Sequence, residues 1–127
     1  MQEVSVIIPN FNGMAYLDGV LAGLECQSVN NFEVILVDNG SSDGSCAFVA
    51  ARYPWVHLIE LPENFGFCKA VNEGIKASRA PYVLLLNNDI EVTDNFIEEM
   101  IFAIKRHPKA FSCAARMIQF HDRDKLD

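Results

Sequence analysis

The chain alternates short apolar runs with segments in which apolar residues recur every three to four positions. Apolar runs rich in β-branched residues predict strands, and helical spacing predicts helices. The predicted strands cover residues 4–8, 32–37, 56–61 and 83–86, with a half-exposed edge strand over 111–117. The predicted helices cover residues 14–26, 46–53 and 67–74, with a fourth between Thr93 and Pro108. This order predicts an α/β fold with a doubly wound, mainly parallel sheet and helices on both faces.

Residues that start and end helices set the boundaries of these elements. Pro54 ends the second helix, and Thr93 is suited to be the N-cap of the fourth. Lys105 and Arg106 suit the C-terminal end of that helix, where the helix dipole favours positive charge. Small residues on the third helix predict that it lies close to the sheet. We expect one domain over residues 1–120, followed by a polar tail over residues 121–127.

Polar residues cluster where the apolar runs end. The first strand leads into Asn10, the second into Asp38 and the fourth into Asp89, and a loop with Gly66 follows the third. Because ligands of open α/β sheets bind at the carboxyl ends of the strands, these four loops predict a nucleotide site. Each loop taken singly also has a structural explanation, since Asp and Asn next to Gly form turns and satisfy loop amides. Their convergence on one sheet edge favours the binding site.

Composition and charge narrow the class of protein. The 127 residues are half hydrophobic and carry a formal net charge of −7, which disfavours nucleic-acid partners but allows a nucleotide held through a metal ion. The four cysteines form no C-x-x-C pair, so we expect Cys46 and Cys113 to be small core residues in a reducing, cytoplasmic setting. No segment reaches the roughly 20 apolar residues of a membrane span, and the N-terminus lacks the pattern of a signal peptide.

Four segments, in order, resemble motifs of the inverting family-2 glycosyltransferases. Residues 4–13 read VSVIIPNFNG and resemble the family's first strand and loop, and residues 34–44 carry its V-D-[DN]-x-S-x-D-G signature. Residues 64–74 resemble its N-x-G-x-x-x-A-x-N-x-G segment, and residues 84–89, LLLNND, stand where the family has its D-x-D metal motif. The set is far more specific than any one motif. It implies the A-type nucleotide-diphospho-sugar transferase fold, with this chain as the N-terminal, donor-binding half.

The resemblance implies roles at the nucleotide end of the site. Asp38 would accept a hydrogen bond from the imide N–H of a uracil or thymine base, and a charged acceptor strengthens such a bond. Pro9 and Asn10 would line the pocket for the base and ribose. Gly66 would let the backbone approach the nucleotide closely, where a side chain would clash. The implied partner is a UDP- or dTDP-linked sugar.

At the diphosphate end, the resemblance implies contacts from Asn64 and Lys69, and it implies that Asp89 binds Mg²⁺ or Mn²⁺, which would neutralise the leaving diphosphate. Asn87 occupies the position of the first acid of D-x-D. The resemblance implies that Asn87 and Asn88 also bind the nucleotide sugar. An amide oxygen coordinates without adding charge, so this form predicts a lower metal affinity. The N-x-D form also resembles the rhamnosyltransferase-like branch, which implies dTDP-rhamnose or another deoxysugar as donor.

The implied activity is transfer of the sugar, with inversion, to a glycan or lipid-linked acceptor in polysaccharide or cell-wall synthesis. Inversion requires a general base, and the acids after the metal motif, Glu91, Asp94 and those of the tail, match no base motif of the family. We therefore expect the base and the acceptor-binding half beyond Asp127. A donor-binding module without transferase activity stays open. A phosphoacceptor receiver domain is a third alternative, but no lysine ends the strand over residues 83–86.

Further partners follow from the same resemblance. A lipid-linked acceptor implies a peripheral protein at the inner face of the membrane. A donor-binding half on its own would leave apolar sheet surface uncovered, which favours a homodimer. Nucleic acid is not an expected partner.

Overall fold

The computed structural model describes residues 2–110 and 112–114, which form a parallel sheet of four strands with helices on both faces. The strands are β1 (Val4–Asn10), β2 (Phe32–Asp38), β3 (His57–Glu60) and β4 (Tyr82–Leu85). The helices are α1 (Met14–Glu25), α2 (Ser45–Arg52), α3 (Phe67–Ala77) and α4 (Phe96–Arg106). Strands and helices alternate along the chain, so the α/β fold expected from the sequence is confirmed.

The strand order is β3-β2-β1-β4, which places β1 and β2 at the centre of the sheet. Successive side chains of a strand point to opposite faces. The apolar core has two parts, one on each face of the sheet. Ile8 and Leu36 belong to the larger part, to which α1, α2 and α4 also contribute, whereas Ile7 and Ile35 pack with Ala70 of α3 in the smaller part. Because both faces are covered, the central strands are apolar at consecutive positions, as parallel sheets require.

The third helix lies close to the sheet because its inner face is made of small residues. Ala70 and Gly74 are both buried. A Cβ added at Gly74 would lie 2.5 Å from Ile7 Cγ2 and 3.3 Å from Val37 Cγ2, so no larger residue fits without moving the helix. This close approach places the start of α3 at the carboxyl end of the central strands.

The fourth helix starts two residues later than its sequence suggests. Asn95 is its N-cap, so the prediction that Thr93 is the N-cap is wrong. The Thr93 hydroxyl instead donates to Asn95 Oδ1 at 3.0 Å. The open N–H of Ile97 is satisfied by Gln27 Oε1 at 2.9 Å, and Gln27 Nε2 donates to the Thr93 carbonyl at 2.7 Å. A side chain far away in the sequence thus performs the capping that local sequence assigned to Thr93.

Two expectations about the cysteines are wrong. Cys113 is exposed, because residues 112–114 have no regular secondary structure and are not covered by the described chain. Cys46 is half-buried rather than buried, because the start of α2 lies beside the polar ends of β2 and β3 and not over the apolar core. The rest of the predicted edge strand over 111–117, and the tail over 121–127, lie outside the described residues.

The edge strand β4 is covered on one face only. Val83 and Leu85 are each 44% exposed, and their partners in β1 are Ser5 and Ile7, on the face that α3 covers. Tyr82 and Leu84, which alternate with them, pack against the larger core. Among the helices of the described residues, none is long and apolar enough to cross a membrane.

Candidate functional site

The carboxyl ends of β1, β2 and β4 meet at one edge of the sheet around an open cleft of about 380 Å³. Most residues that the sequence assigns to the nucleotide sugar or metal line it: Pro9, Asn10, Asn64, Gly66, Asn87, Asn88 and Asp89. Three residues without an assigned role also line it: Phe11, Asn39 and Phe67. The loops that follow four different strands therefore contribute to one concave surface, which is where ligands bind in open parallel sheets.

Asp38 ends β2 behind this lining and is 2% exposed. Its Oδ1 accepts hydrogen bonds from Asn10 Nδ2 at 2.9 Å and from the Ser41 hydroxyl at 2.6 Å, and its Oδ2 accepts the Ser41 N–H at 2.8 Å. Burial raises the pKa of this carboxyl, but the hydrogen bonds from Ser41 and Asn10 outweigh it, so the pKa lies below its ordinary value. Asp38 is therefore a fixed, charged acceptor that also organises the turn after β2.

The Cys46 thiol, at the start of α2, lies beside the Asp38 carboxylate. Burial, the Asp38 carboxylate and then Glu60 raise the pKa of Cys46 to about 12. The thiol is therefore protonated at neutral pH and is not a nucleophile.

Asn39 connects the end of β2 to the loop after β3. It is 4% exposed, its Nδ2 donates to the Gly66 carbonyl at 3.1 Å and its Oδ1 accepts the Phe65 N–H at 3.3 Å. Asn64 Oδ1 accepts the Gly66 N–H at 2.8 Å. Gly66 has a φ of 92°, which favours glycine, and a Cβ added there would meet nothing within 4 Å. The space above Gly66 is therefore open to the cleft.

The loops after β1 and β2 are joined by side chains of the second loop. The Ser41 Oγ accepts the Asn12 N–H at 2.8 Å. Asp43 Oδ2 accepts the Met14 N–H at the start of α1 at 3.0 Å, and Asp43 Oδ1 accepts the Ser45 N–H at the start of α2 at 3.0 Å. One carboxylate thus caps two helices. The bonds from Ser45 and Met14 hold the pKa of Asp43 below its ordinary value.

The end of β4 supplies the only carboxylate of the residues that line the cleft, on Asp89, which is exposed. Within residues 2–110 and 112–114 no group of three or more His, Cys, Asp or Glu side chains is placed to hold a metal by itself. Mg²⁺ and Mn²⁺ sites commonly combine one or two carboxylates with substrate phosphates. Asp89, with the amide oxygen of Asn87, fits a cation that binds together with a diphosphate.

Three charged residues considered from the sequence lie away from the cleft lining. Lys69 is on α3, with its Nζ 3.1 Å from Glu73 Oε1. The Glu91 side chain lies over α1, since a Cβ added at Gly19 would be 3.6 Å from Glu91 Cγ. Asp94 is exposed in the loop before α4. Glu91 and Asp94, two of the acids that the sequence leaves as candidates for a general base, are thus not part of the cleft lining, and the acids of the tail lie outside the described residues.

Sequence reasoning missed residues that the structure places in or beside the site. Asn39, Ser41 and Asp43 lie in the signature over residues 34–44 and were given no role of their own in the site, although each binds a backbone group of a neighbouring loop or helix. Phe67, the first residue of the predicted third helix, was given no role in the site, but it is 53% exposed and lines the cleft with Phe11. Its position one residue after the loop glycine was the available signal.

A doubly wound parallel sheet with a polar cleft at its carboxyl edge defines an α/β domain of the nucleotide-binding class. Sequence comparison refines this class. The model of the family described as Glycosyl transferase family 2 matches residues 5–126, and the chain belongs to this family.

Similar proteins agree with the family. The putative teichuronic acid biosynthesis glycosyltransferase TuaG of Bacillus subtilis is 27% identical over 98% of this chain and 50% of its own length. The crystal structure of S. aureus TarS 1-349 in complex with UDP has a TM-score of 0.76 and 26% identity, over 84% of this chain and 33% of that one. The mannosyltransferase PcManGT from Pyrobaculum calidifontis, in complex with GDP-Man and Mn²⁺, has a TM-score of 0.66 and 26% identity, over 70% and 28%. The chain spans half the length or less of the relatives that it matches.

Proposed function

We propose that the cleft binds the nucleotide diphosphate of a sugar donor, and that the protein transfers this sugar with inversion to a glycan or lipid-linked acceptor. The observation that carries the proposal is the convergence of the loops after all four strands on one cleft, in which Asp89 supplies the single carboxylate among the described lining residues. Support comes from the family and from similar proteins whose structures contain UDP or GDP-Man. TuaG, by its name, points to polysaccharide or cell-wall synthesis as the setting.

In this proposal the β1 and β2 ends bind the nucleoside. Pro9 and Asn10 form the floor for the base and ribose, and the exposed rings of Phe11 and Phe67 offer apolar surface to planar groups. Asp38 is the charged acceptor for the imide N–H of uracil or thymine. Since its carboxylate lies behind Asn10, it acts on the base only where the ligand reaches past that side chain.

The β3 and β4 ends bind the diphosphate. Asn64 uses its Oδ1 on Gly66, so its Nδ2 is the group that can donate to a phosphate oxygen. Lys69 would have to leave its exposed pair with Glu73, which costs little because such pairs are worth about 0–1 kcal/mol. Asp89 and Asn87 would hold Mg²⁺ or Mn²⁺ together with the diphosphate. A bound divalent cation would supply charge to stabilise the leaving group.

The general base and acceptor pocket are proposed to lie outside these 127 residues. Glu91 and Asp94, the nearest acids after Asp89, do not line the cleft. General-base catalysis contributes typically about 10²–10⁴-fold, and positioning of the acceptor contributes more. We therefore expect the chain alone to bind donor but to transfer sugar poorly. The same observation favours the second candidate, a donor-binding module.

Titration calorimetry tests the donor site. We expect UDP or dTDP to bind more tightly in Mn²⁺ than in EDTA, and uridine and thymidine nucleotides to bind more tightly than cytidine nucleotides, which lack the imide N–H. Asp89→Asn should remove the difference between the two buffers. Asp94→Asn makes the same chemical change outside the cleft and is the control that should keep it. Absence of binding in every buffer would refute the proposal.

Activity separates the two candidates. The 127-residue chain and any longer parent protein that contains it are incubated with labelled dTDP-rhamnose or UDP-glucose, Mn²⁺ and a membrane fraction as acceptor. Transfer by the parent alone supports a transferase whose base lies outside this chain. Transfer by the short chain at the parent's rate would place the base within it, with Glu91 the first residue to replace. Binding without transfer by either chain would favour the binding module.

The remaining parts of the proposal concern the domain and its surroundings. We propose a folded domain over residues 1–120 with a polar tail over 121–127, which limited proteolysis would shorten without loss of nucleotide binding. A homodimer is proposed on the half-exposed face of β4 and is tested by sedimentation. A cytoplasmic location at the inner face of the membrane is proposed from the lipid-linked acceptor and is tested by fractionation.

A further inference from the structure

The side chains of Asn10 and Asn88 form one hydrogen bond across the floor of the cleft. Asn88 Nδ2 donates to Asn10 Oδ1 at 2.8 Å, and Asn10 Nδ2 donates to Asp38 Oδ1 at 2.9 Å. The three side chains come from the ends of β4, β1 and β2. They form a continuous chain of hydrogen bonds from the edge of the cleft to the buried carboxylate.

The donor and acceptor of each of these hydrogen bonds are fixed by Asp38. An ionised carboxylate only accepts hydrogen bonds, so Asn10 must turn its Nδ2 to Asp38. Asn10 is 2% exposed, and its Oδ1 on the opposite corner of the planar amide then faces Asn88. Asn88 must in turn present its Nδ2 to Asn10. Its own carbonyl oxygen is therefore turned away from Asn10, next to Asp89 in the lining of the cleft.

Space for the hydrogen bond between Asn88 and Asn10 exists because residue 13 has no side chain. Gly13 has φ −98° and ψ 22°, values that any residue adopts, so its backbone does not require glycine. A Cβ added there would overlap Asn88 Nδ2 and Asn10 Oδ1, the two atoms of the hydrogen bond, and would lie 3.2 Å from Asn88 Cγ. The amide of Asn88 can reach Asn10 only while this position is glycine.

We propose that Gly13 and Asn10 are positioning residues for Asn88, and that together they aim its carbonyl oxygen at a hydroxyl group of the bound donor. Gly13 leaves space for the Asn88 amide, and Asn10 Oδ1 accepts its hydrogen bond. Asp38 fixes which way the Asn10 amide is turned. The identity of the ligand rests on the proposed function, whereas the orientation of Asn88 does not. This arrangement links the nucleoside end of the cleft to the residue beside the proposed metal ligand.

The orientation is tested first without ligand. The side-chain amide protons of Asn88 are followed by NMR hydrogen exchange in the wild type, in Gly13→Ala and in Gly19→Ala. Gly19 is the matched control, because a Cβ added there would meet only Glu91 Cγ at an ordinary 3.6 Å. We expect one slowly exchanging Asn88 proton in the wild type and in Gly19→Ala, and its loss in Gly13→Ala. Fast exchange in the wild type, or slow exchange in Gly13→Ala, would overturn the proposal.

The functional consequence is tested by a double-mutant cycle on UDP binding in Mn²⁺. Gly13→Ala and Asn88→Ala should each weaken binding roughly 2- to 12-fold, the range for one net hydrogen bond. If Gly13 acts through Asn88, adding Gly13→Ala to Asn88→Ala should cause a smaller loss than Gly13→Ala causes in the wild type. Multiplicative losses would overturn the proposal, since they mean that Gly13 serves only the fold.

Two further results keep the test decisive. If Gly13→Ala does not fold, Asn10→Leu replaces it in the exchange experiment, because it removes the acceptor of the same hydrogen bond. Retained protection of Asn88 in Asn10→Leu would then refute the proposal. If wild-type chain binds no nucleotide, the proposed function fails, while the exchange experiment still decides whether Gly13 and Asn10 orient Asn88.

Discussion

The β2 end and the β4 end of the cleft are built in opposite ways. At the β2 end, Asp38 and Asn39 are nearly inaccessible, and each binds groups on neighbouring loops. At the β4 end, Asn87 and Asp89 are exposed. Buried polar groups need partners within the protein, whereas exposed ones remain available to a ligand. The comparison shows a cleft whose β2 end is organised by hydrogen bonds within the protein and whose β4 end keeps polar groups available to a ligand; in the proposed function these are the nucleoside end and the metal end.

The contrast continues into the sheet behind the two ends. The last residues of β2 are buried on both faces, while Val83 and Leu85 of β4 are each 44% exposed. The organised end thus sits on a strand whose last five residues are buried, and the open end on an edge strand that has no buried residue. Four changes test whether these two ends differ in the way the structure suggests.

The largest effect is expected at Asp38. Asp38→Asn removes the charge from a buried carboxylate that accepts three hydrogen bonds, and it should weaken UDP binding by about 1.5–3 kcal/mol, the range for a hydrogen bond to a charged group. Calorimetry measures the affinity, with Asp94→Asn as the matched control and thermal unfolding as the check on folding. Unchanged affinity would mean that Asp38 is a turn residue only.

Asp89→Asn tests the open end. Because Asp89 is exposed, the substitution should leave the melting temperature unchanged while it removes the difference between UDP affinity in Mn²⁺ and in EDTA. The measurement is the same titration in the two buffers. Persistence of a full Mn²⁺ effect in the variant would place the metal elsewhere and remove the asymmetry between the two ends.

Asn39→Ala sharpens the comparison on the organised side. It deletes the two hydrogen bonds that hold the Phe65–Gly66 backbone, so those amides should exchange faster and UDP should bind roughly 2- to 12-fold more weakly. Asn72→Ala, an exposed residue on α3, is the control for the same change of side chain. Equal exchange in the two variants would show that the loop holds its shape without Asn39.

The smallest effect is expected from the exposed Asp43. Its pKa is depressed in the folded chain from an ordinary value of 3.8, so its contribution to stability is present above that value and is lost as the pH falls through the folded pKa. The free energies of denaturant unfolding of wild type and Asp43→Asn should differ at pH 6 and converge as the pH falls through the folded pKa of Asp43. A pH-independent difference would show that charge plays no part in capping α1 and α2.

Much of the fold could be predicted because the determining signals are local. The apolar runs of β1 and β2 and the helical stripe of α1 are imposed by burial of the same residues. Thr93 was mistaken for a cap because the competing group, Gln27, is distant in sequence. Cys46 was mistaken for a core residue because helical periodicity predicts which face of α2 points inward. It does not predict that the first residues of this face contact the polar strand ends instead of the apolar core.

The candidate site was predictable at the level of loops rather than atoms. A parallel sheet brings the strand ends together, so Asn10, Gly66 and Asp89 could be expected in one place. The burial of Asp38 behind Asn10 depends on which rotamers fit around both side chains. Asn39 could not be separated from an ordinary turn residue, since its partners lie in a loop that follows another strand.

Gln27 also has a consequence for the order of folding. Its side chain joins Gly23 at the end of α1 to Thr93 and to Ile97 in α4, across 66 and 70 residues of chain. Contacts between such distant positions form only after a large loop has closed. We expect α4 to be completed late, on a surface that α1 and the central strands have already built. Gln27→Ala should therefore accelerate unfolding much more than it slows folding.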